Sequence, residues 1–309
     1  VDLYVYDEDV GRVGVLHRAG ARLGTEAQAR VADHAAAGRL FLLREDYRVY
    51  ALHLSRKLGL VLVEDGLNPR EVAEIFFLAF RERVAGFMDQ PRREELDRLR
   101  GDIAILAEYL WADPCRAGFL TGALHKEYDP AAHAVNTMFI GLALFMMVSA
   151  DGPARAELSS MALGLAVHDL GMTHVPRFIT DKERYLVRRD RESIERHIEA
   201  GLRQLDRLGV RDPVVRQCLE EHHERLDGSG YPRGLRGEAV SLPGRLCGVA
   251  DSFAAMIGRR PYRDGAVVAE AASALVREPG RYDRRLAALL AVLVNRGVPG
   301  CRPRGGAGA

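Results

Sequence analysis

The apolar positions change rhythm once along the chain. Before residue 69 they come in short runs: VDLYVYDEDV and GVLHRAG alternate like strands, with Gly20 as punctuation. LGTEAQARVADHAAAG reads as a helix with Thr25 as N-cap and Gly38 as its stop. RLFLLRED and the run from Tyr47 to Leu52 are expected to be further strands. From Pro69 the spacing turns helical, and Val72, Ile75, Phe76, Phe80, Val84 and Phe87 recur at three- and four-residue steps. PRREELDRLRGDIAILAEYL, charged and then apolar, suits a connecting helix. From about Leu120 helices dominate, down to RRLAALLAVLVN at Arg284 to Asn295. The expected organisation is α+β: a mixed α/β N-terminal regulatory or partner domain over residues 1–115, an all-α helical bundle over 116–297, and a disordered Gly/Pro/Ala-rich tail over 298–309.

The longest apolar run, MFIGLALFMMVSA from Met138 to Ala150, falls short of the roughly 20 residues that a membrane span needs. It follows a polar helix start and is expected to be a buried helix. The sequence opens at Val1 without a signal-peptide pattern, and the expected location is the cytoplasm. Hydrophobic residues make up 48% and charged residues 28% of the 309, a globular balance. The net charge of +1 gives no global signature of a nucleic-acid binder, so DNA is not an expected partner and any anion site must be local. Cys115, Cys218, Cys247 and Cys301 are widely spaced with no CxxC, which suits reduced thiols.

The histidines are unevenly placed. His17, His34 and His53 stand singly, and each reads as a surface or core-edge residue. Further on, His133 lies in YDPAAH, His168 and Asp169 end MALGLAVHDLG, and His197 lies in SIERHIEAG. His222 and His223 follow VVRQCLEE, and Asp251 follows RLCGVA. Imidazole and carboxylate together suit iron, manganese or zinc. Seven such residues placed at helix ends are hard to explain as packing alone.

The order H…HD…H…HH…D resembles the ligand pattern of the HD superfamily in its HD-GYP branch. The stretch HHERLDGSGYPRGLRGEAVSLPGRLCGVAD is similar to that branch's signature, and the likeness runs from Asp129 to Arg263, through RRPYR at Arg259 to Arg263. The resemblance implies a helical bundle that holds two, or three, transition-metal ions, iron first and manganese as the alternative. It implies that Asp169 bridges two ions, with His133, His168 and Asp251 on one side and His197, His222 and His223 on the other. Asp169 and His168 become the candidate catalytic residues. The implied chemistry is that of a two-metal hydrolase with ions roughly 3.5–4 Å apart: a water between them loses its proton and attacks phosphorus in line. The implied substrate is cyclic di-GMP or a related cyclic dinucleotide, opened to the linear dinucleotide and onward to GMP. A homodimer, and a diguanylate cyclase or other signalling protein at the GYP loop, are the protein partners the resemblance allows.

Several positions keep two readings. Asp129 stands four residues before His133 and can be a third-metal ligand, as a carboxylate there is in some family members, or the N-cap of an Asp-Pro helix start. Lys182 and Arg245 match family positions that bind ligand phosphate or guanine, although Arg245 can equally pair with a nearby carboxylate. Gly228 and Gly230 can let backbone approach a ligand. Gly230, Tyr231 and Pro232 are candidate substrate contacts; alternatively the loop is a structural turn. Two departures stand out. Met172 replaces the lysine of HD-x-G-K, a phosphate contact in the family, with His174 and Arg177 as nearby substitutes, and Ala254 stands where a further carboxylate is common. The rivals to a phosphodiesterase are thus a catalytically weak cyclic-dinucleotide sensor and a generic HD nucleotidase. The intact GYP stretch speaks against the nucleotidase. The first domain resembles the partner domains of such proteins only weakly and has no obvious phosphoacceptor motif.

Overall fold

A computed structural model describes residues 1–7, 11–63, 66–127, 129–149, 152–180, 182, 187–259 and 264–298. Arg260 to Arg263 of the RRPYR motif, and all of the expected tail but Val298, lie outside the described residues. The chain is mostly helical, with one small antiparallel sheet. Strands β1 (Leu3–Asp7) and β2 (Arg12–His17) form a hairpin in which Tyr4 faces Val15 and Tyr6 faces Val13. Helix α1 (Thr25–Ala36) follows, and β3 (Leu40–Phe41) closes the order β2-β1-β3. Gly24, and not Thr25, is the N-cap of α1, with extended backbone and no side-chain hydrogen bond. Gly38 ends the helix region at φ 65°, a conformation that favours glycine.

The strand expected at Tyr47 to Leu52 is instead helix α2 (Tyr47–Ser55), and only Leu40 and Phe41 of the preceding run are strand. The reason is tertiary. Ala51, Leu54, Leu58 and Val61 are buried at three- and four-residue steps, and α2 packs against α3 (Pro69–Asp89). No described residue before Ala51 is buried, so the sheet and α1 lie outside the core.

The stripe expected on α3 is buried in full. Asn68 caps this helix reciprocally with Glu71, and Pro69 takes its first position. Next come α4 (Arg93–Ala112), the short α5 (Ala117–Leu120) and α6 (Pro130–Val148). Helix α6 is the one described helix apolar and long enough to cross a membrane, but 83% of its apolar window is buried inside the protein. It is the central core helix and packs on α3, α7 (Arg155–Val167) and α12 (Leu242–Ile257). Between α7 and α12 the chain forms α8 (Arg177–Thr180), α9 (Arg188–Glu195), α10 (His197–Arg207) and α11 (Pro213–Glu221). Helices α13 (Val268–Val276) and α14 (Arg284–Arg296) complete the bundle. One apolar core runs from Ala51 to Leu293. Cys218 and Cys247 are buried free thiols, whereas Cys115 is disulfide-bonded, a correction to the expectation of reduced thiols.

Candidate metal centre

Helix ends build this site. Asp129 caps α6, and His133 sits one turn inside it. His168 closes α7, and Asp169 begins the tight turn 170–174. His197 opens α10, His222 and His223 follow α11, and Asp251 projects from within α12. Gly171 permits the close approach: its Cα faces α10 so tightly that an added Cβ would lie 1.8 Å from the His197 carbonyl oxygen.

Three of the imidazoles are aimed by the same local device. His168 Nδ1 donates to Leu165 O at 2.8 Å, His197 Nδ1 to Ile194 O at 2.7 Å, and His222 Nδ1 to Leu219 O at 2.9 Å. Each bond uses a carbonyl three residues earlier, fixes the tautomer and leaves the Nε2 lone pair pointing inward. Those lone pairs converge on Asp169. Its Oδ1 lies 3.4 Å from His197 Nε2 and 3.5 Å from His222 Nε2. Its Oδ2 lies 3.6 Å from His168 Nε2 and 3.9 Å from His133 Nε2. His133 Nε2 in turn is 2.9 Å from Asp251 Oδ1. The seven residues thus gather in two groups, Asp169 with His197, His222 and His223, and His133 with His168 and Asp251. His17, His34 and His53 belong to neither.

This arrangement fits cations. His168 Nε2 is fully buried, has no hydrogen-bond partner and faces two carboxylates. His197 Nε2 and His222 Nε2 face each other at 3.4 Å, where two lone pairs repel unless a positive charge lies with them. The electrostatics agree. Burial opposes charge on His168, yet Asp169 and Asp251 push it up to about 9. Burial likewise opposes charge on the two carboxylates. The facing histidines outweigh it, His168 first for Asp169 and His133 first for Asp251, and hold both well below the carboxylate range. Burial, with His222 beside it, drives His223 well below the usual histidine range, so it is a neutral donor. Carboxylate oxygens and imidazole nitrogens gathered in this way form a donor set for divalent transition-metal ions.

The remaining expected site residues are placed differently. Asp129 accepts from Ala132 N at 2.8 Å and pairs with Arg81 at 2.7 Å, so the capping reading holds and both its oxygens are engaged outside the two groups. Lys182 pairs with Asp190 at 2.5 Å, and Arg245 with Asp283 at 2.9 Å. Tyr231 stacks on His223, with ring centroids 4.6 Å apart, and the Tyr231–Pro232 peptide is cis. Gly230 serves packing against protein: a Cβ there would lie 2.4 Å from both His223 O and Arg225 N. Gly228, at φ 78°, is covered by the Arg236 side chain. Met172 is half-buried, His174 and Arg177 are exposed, and Ala254 is buried in the core.

Sequence reasoning missed the clamp that holds the GYP loop. Buried Glu224 accepts from Arg233 N at 2.7 Å and Leu235 N at 2.9 Å, and buried Glu221 accepts from Ser241 N at 2.7 Å and pairs with Arg233 at 2.9 Å. The signal was two glutamates flanking a histidine pair, EHHE, just before a turn-rich loop.

Comparison with known proteins gives three findings. Residues 125–286 match the family model of the HD domain. The 3'3'-cGAMP-specific phosphodiesterase 1 of Vibrio cholerae is 43% identical over 97 residues, 31% of this chain and 22% of that protein. The cyclic di-GMP phosphodiesterase of Thermotoga maritima is 35% identical over 123 residues, 39% of this chain and 33% of that protein. The chain thus spans a third or less of the length of these two relatives. Among solved structures, Bd1817, an HDG"Y"P protein from Bdellovibrio bacteriovorus, superposes with a TM-score of 0.64 at 17% identity, covering 95% of this chain and 94% of that one.

Proposed function

We infer the function from one premise: the chain belongs to the HD domain family, in its HD-GYP branch. On that premise the protein is a metal-dependent phosphodiesterase that opens cyclic di-GMP to the linear dinucleotide and onward to GMP. The observation that carries this reading is the double engagement of Asp169, whose two oxygens face two different histidine groups. His133, His168 and Asp251 would hold one ion, His197, His222 and His223 the other, and Asp169 both. The donor set suits iron or manganese, and the family resemblance puts iron first with manganese as the alternative. When bound, two such ions supply Lewis-acid activation of water and of the phosphate oxygens. The chain's own part is to aim the donors. The backbone carbonyls of Leu165, Ile194 and Leu219 keep three rings in the one tautomer that offers Nε2. Tyr231, stacked on His223 and half-buried, covers one wall of the site. Burial, with Asp169 and Asp251 nearby, raises its phenol above the usual range, so it stays protonated as a donor.

A second reading, a catalytically weak cyclic-dinucleotide sensor, has its own support. Met172 stands in the place of a lysine, and both Lys182 and Arg245 are already paired with carboxylates. Neither of these two is then free for a substrate phosphate. Residues 1–115 would then pass the bound state to a signalling partner or a second copy, which suits a segment with no described residue buried before Ala51. One preparation tests both readings: anaerobic purification, elemental analysis, and parallel measurements of cyclic di-GMP binding and hydrolysis. Two metals with turnover support the enzyme. Binding without turnover supports the sensor, and neither binding nor turnover rejects both.

A further inference from the structure

An open groove of about 500 Å³ is lined by Ile198, Leu202 and Pro232 together with four glutamates, Glu192, Glu195, Glu199 and Glu220, and one arginine, Arg196. That volume is within the range of small-molecule sites. Its lining adjoins the centre in sequence at two points. Ile198 follows His197, and Pro232 follows Tyr231, which stacks on His223. Ile198, Leu202 and Pro232 give the groove an apolar floor.

The charges around that floor are unequal in their freedom. Glu192 is held by Arg188 at 2.8 Å, Glu199 is held by Arg203, and Glu220 lies 3.8 Å from Arg233. Among the described residues, the side chains of Glu195 and Arg196 make no hydrogen bond or ion pair, and both residues are exposed. They are adjacent at the junction of α9 and α10. The groove therefore presents one free carboxylate and one free guanidinium over an apolar surface. A phosphate would meet four glutamates here and is a poor occupant. A flat, uncharged ring with donors on one edge and acceptors on another is a good one.

Guanine has that pattern. Its N1–H and exocyclic N2 amine are two parallel donors that match a carboxylate, and its O6 and N7 are the acceptors that arginine reads bidentately. Adenine offers an acceptor at N1, which a carboxylate repels, and an amine in place of O6. We propose that Glu195 and Arg196 form a guanine-reading pair that seats one base of a dinucleotide in this groove and discriminates it from adenine. The proposal rests on the cyclic-dinucleotide reading above for its ligand, but not on turnover.

Calorimetric binding of cyclic di-GMP and cyclic di-AMP to the full chain, wild type and the exposed-site variants Glu195→Ala and Arg196→Ala, tests it. The expected result is a wild-type preference for cyclic di-GMP of about tenfold or more, reduced by about tenfold in each variant, as one bidentate base contact commands. Hydrolysis of bis(p-nitrophenyl) phosphate, a diester without a base, is measured on the wild type alone, while melting temperature and metal content are measured on both variants and should equal the wild-type values. Equal wild-type affinity for the two dinucleotides, no binding of either, or a preference that survives in both variants would overturn the proposal. A wild type that prefers cyclic di-GMP through these two residues yet cleaves neither it nor the simple diester would reject the phosphodiesterase reading and leave the guanine reader standing.

Discussion

Replacing Gly171 by alanine puts a methyl group where the structure has no room. The new Cβ would lie 1.8 Å from His197 O, 2.6 Å from Gly201 N and 2.7 Å from His197 C. All three neighbours are backbone, so none can swing aside as a side chain would. Reaching even a tight 3.0 Å contact requires the turn 170–174 and α10 to part by about 1.2 Å. Both sides of that contact carry the site. Asp169 precedes the turn, and His197 contributes the opposing carbonyl, while His197 Nε2 and Asp169 Oδ1 are only 3.4 Å apart. Overpacking of this kind costs about 1–3 kcal/mol, which corresponds to a fall in melting temperature of roughly 2–10 °C for a chain this long. Metal affinity should fall by about tenfold or more, the usual effect of disturbing the residues that orient ligands. The assay is thermal melting of the metal-free and metal-loaded proteins, with elemental analysis of both. A separation that matters to the site predicts a larger loss of melting temperature in the metal-loaded protein than in the metal-free one. Equal melting temperatures and wild-type metal content in Gly171→Ala would refute the claim that this contact sets the distance between Asp169 and His197.

Asp169→Ala should lose both metals together, because its two oxygens face different groups; elemental analysis showing one full site would contradict a shared carboxylate. Glu224→Ala removes the acceptor of the part-buried Arg233 and Leu235 amide bonds, at about 1 kcal/mol each, and should lower the melting temperature and speed hydrogen exchange in residues 226–236. Unchanged exchange there would show that the loop holds without its clamp. Met172→Lys should strengthen cyclic di-GMP binding by about tenfold if a phosphate comes within reach of the turn; calorimetry finding equal or weaker binding would show that Met172 does not mark a missing contact.

The helical bundle was legible because its signals are local and repeated. Val72, Ile75, Phe76, Phe80, Val84 and Phe87 specify a buried face by spacing alone, and Asn68-Pro69 marks where that helix begins. The stretch from Tyr47 to Leu52 misled for the opposite reason. Six residues are too few to separate a strand from a helix by period, and the residues that decide it, Leu54, Leu58 and Val61, lie beyond the run. Thr25 was read as a cap from residue type, but capping depends on the backbone angle of a single position, which Gly24 occupies.

The metal centre was legible for a different reason from the substrate contacts. A buried imidazole whose Nδ1 bonds a carbonyl three residues back is aimed by its own helix, so residue type and helix position carry most of the geometry of His168, His197 and His222. A surface cation has no such local constraint. Lys182 and Arg245 match the family's positions, but each takes the carboxylate that tertiary packing brings nearest, Asp190 and Asp283. The Asp190 partner is eight residues from Lys182, and Asp283 is thirty-eight from Arg245, on a different helix start. Gly230 shows the same limit. Its lack of a side chain was readable, but what it admits is the backbone of His223 to Arg225. A residue's type states what it can bind; the fold decides whether a protein group is already there. That distinction is why the seven convergent donors support a reading of chemistry, while substrate recognition must be sought among charges the fold leaves free, as it does Glu195 and Arg196.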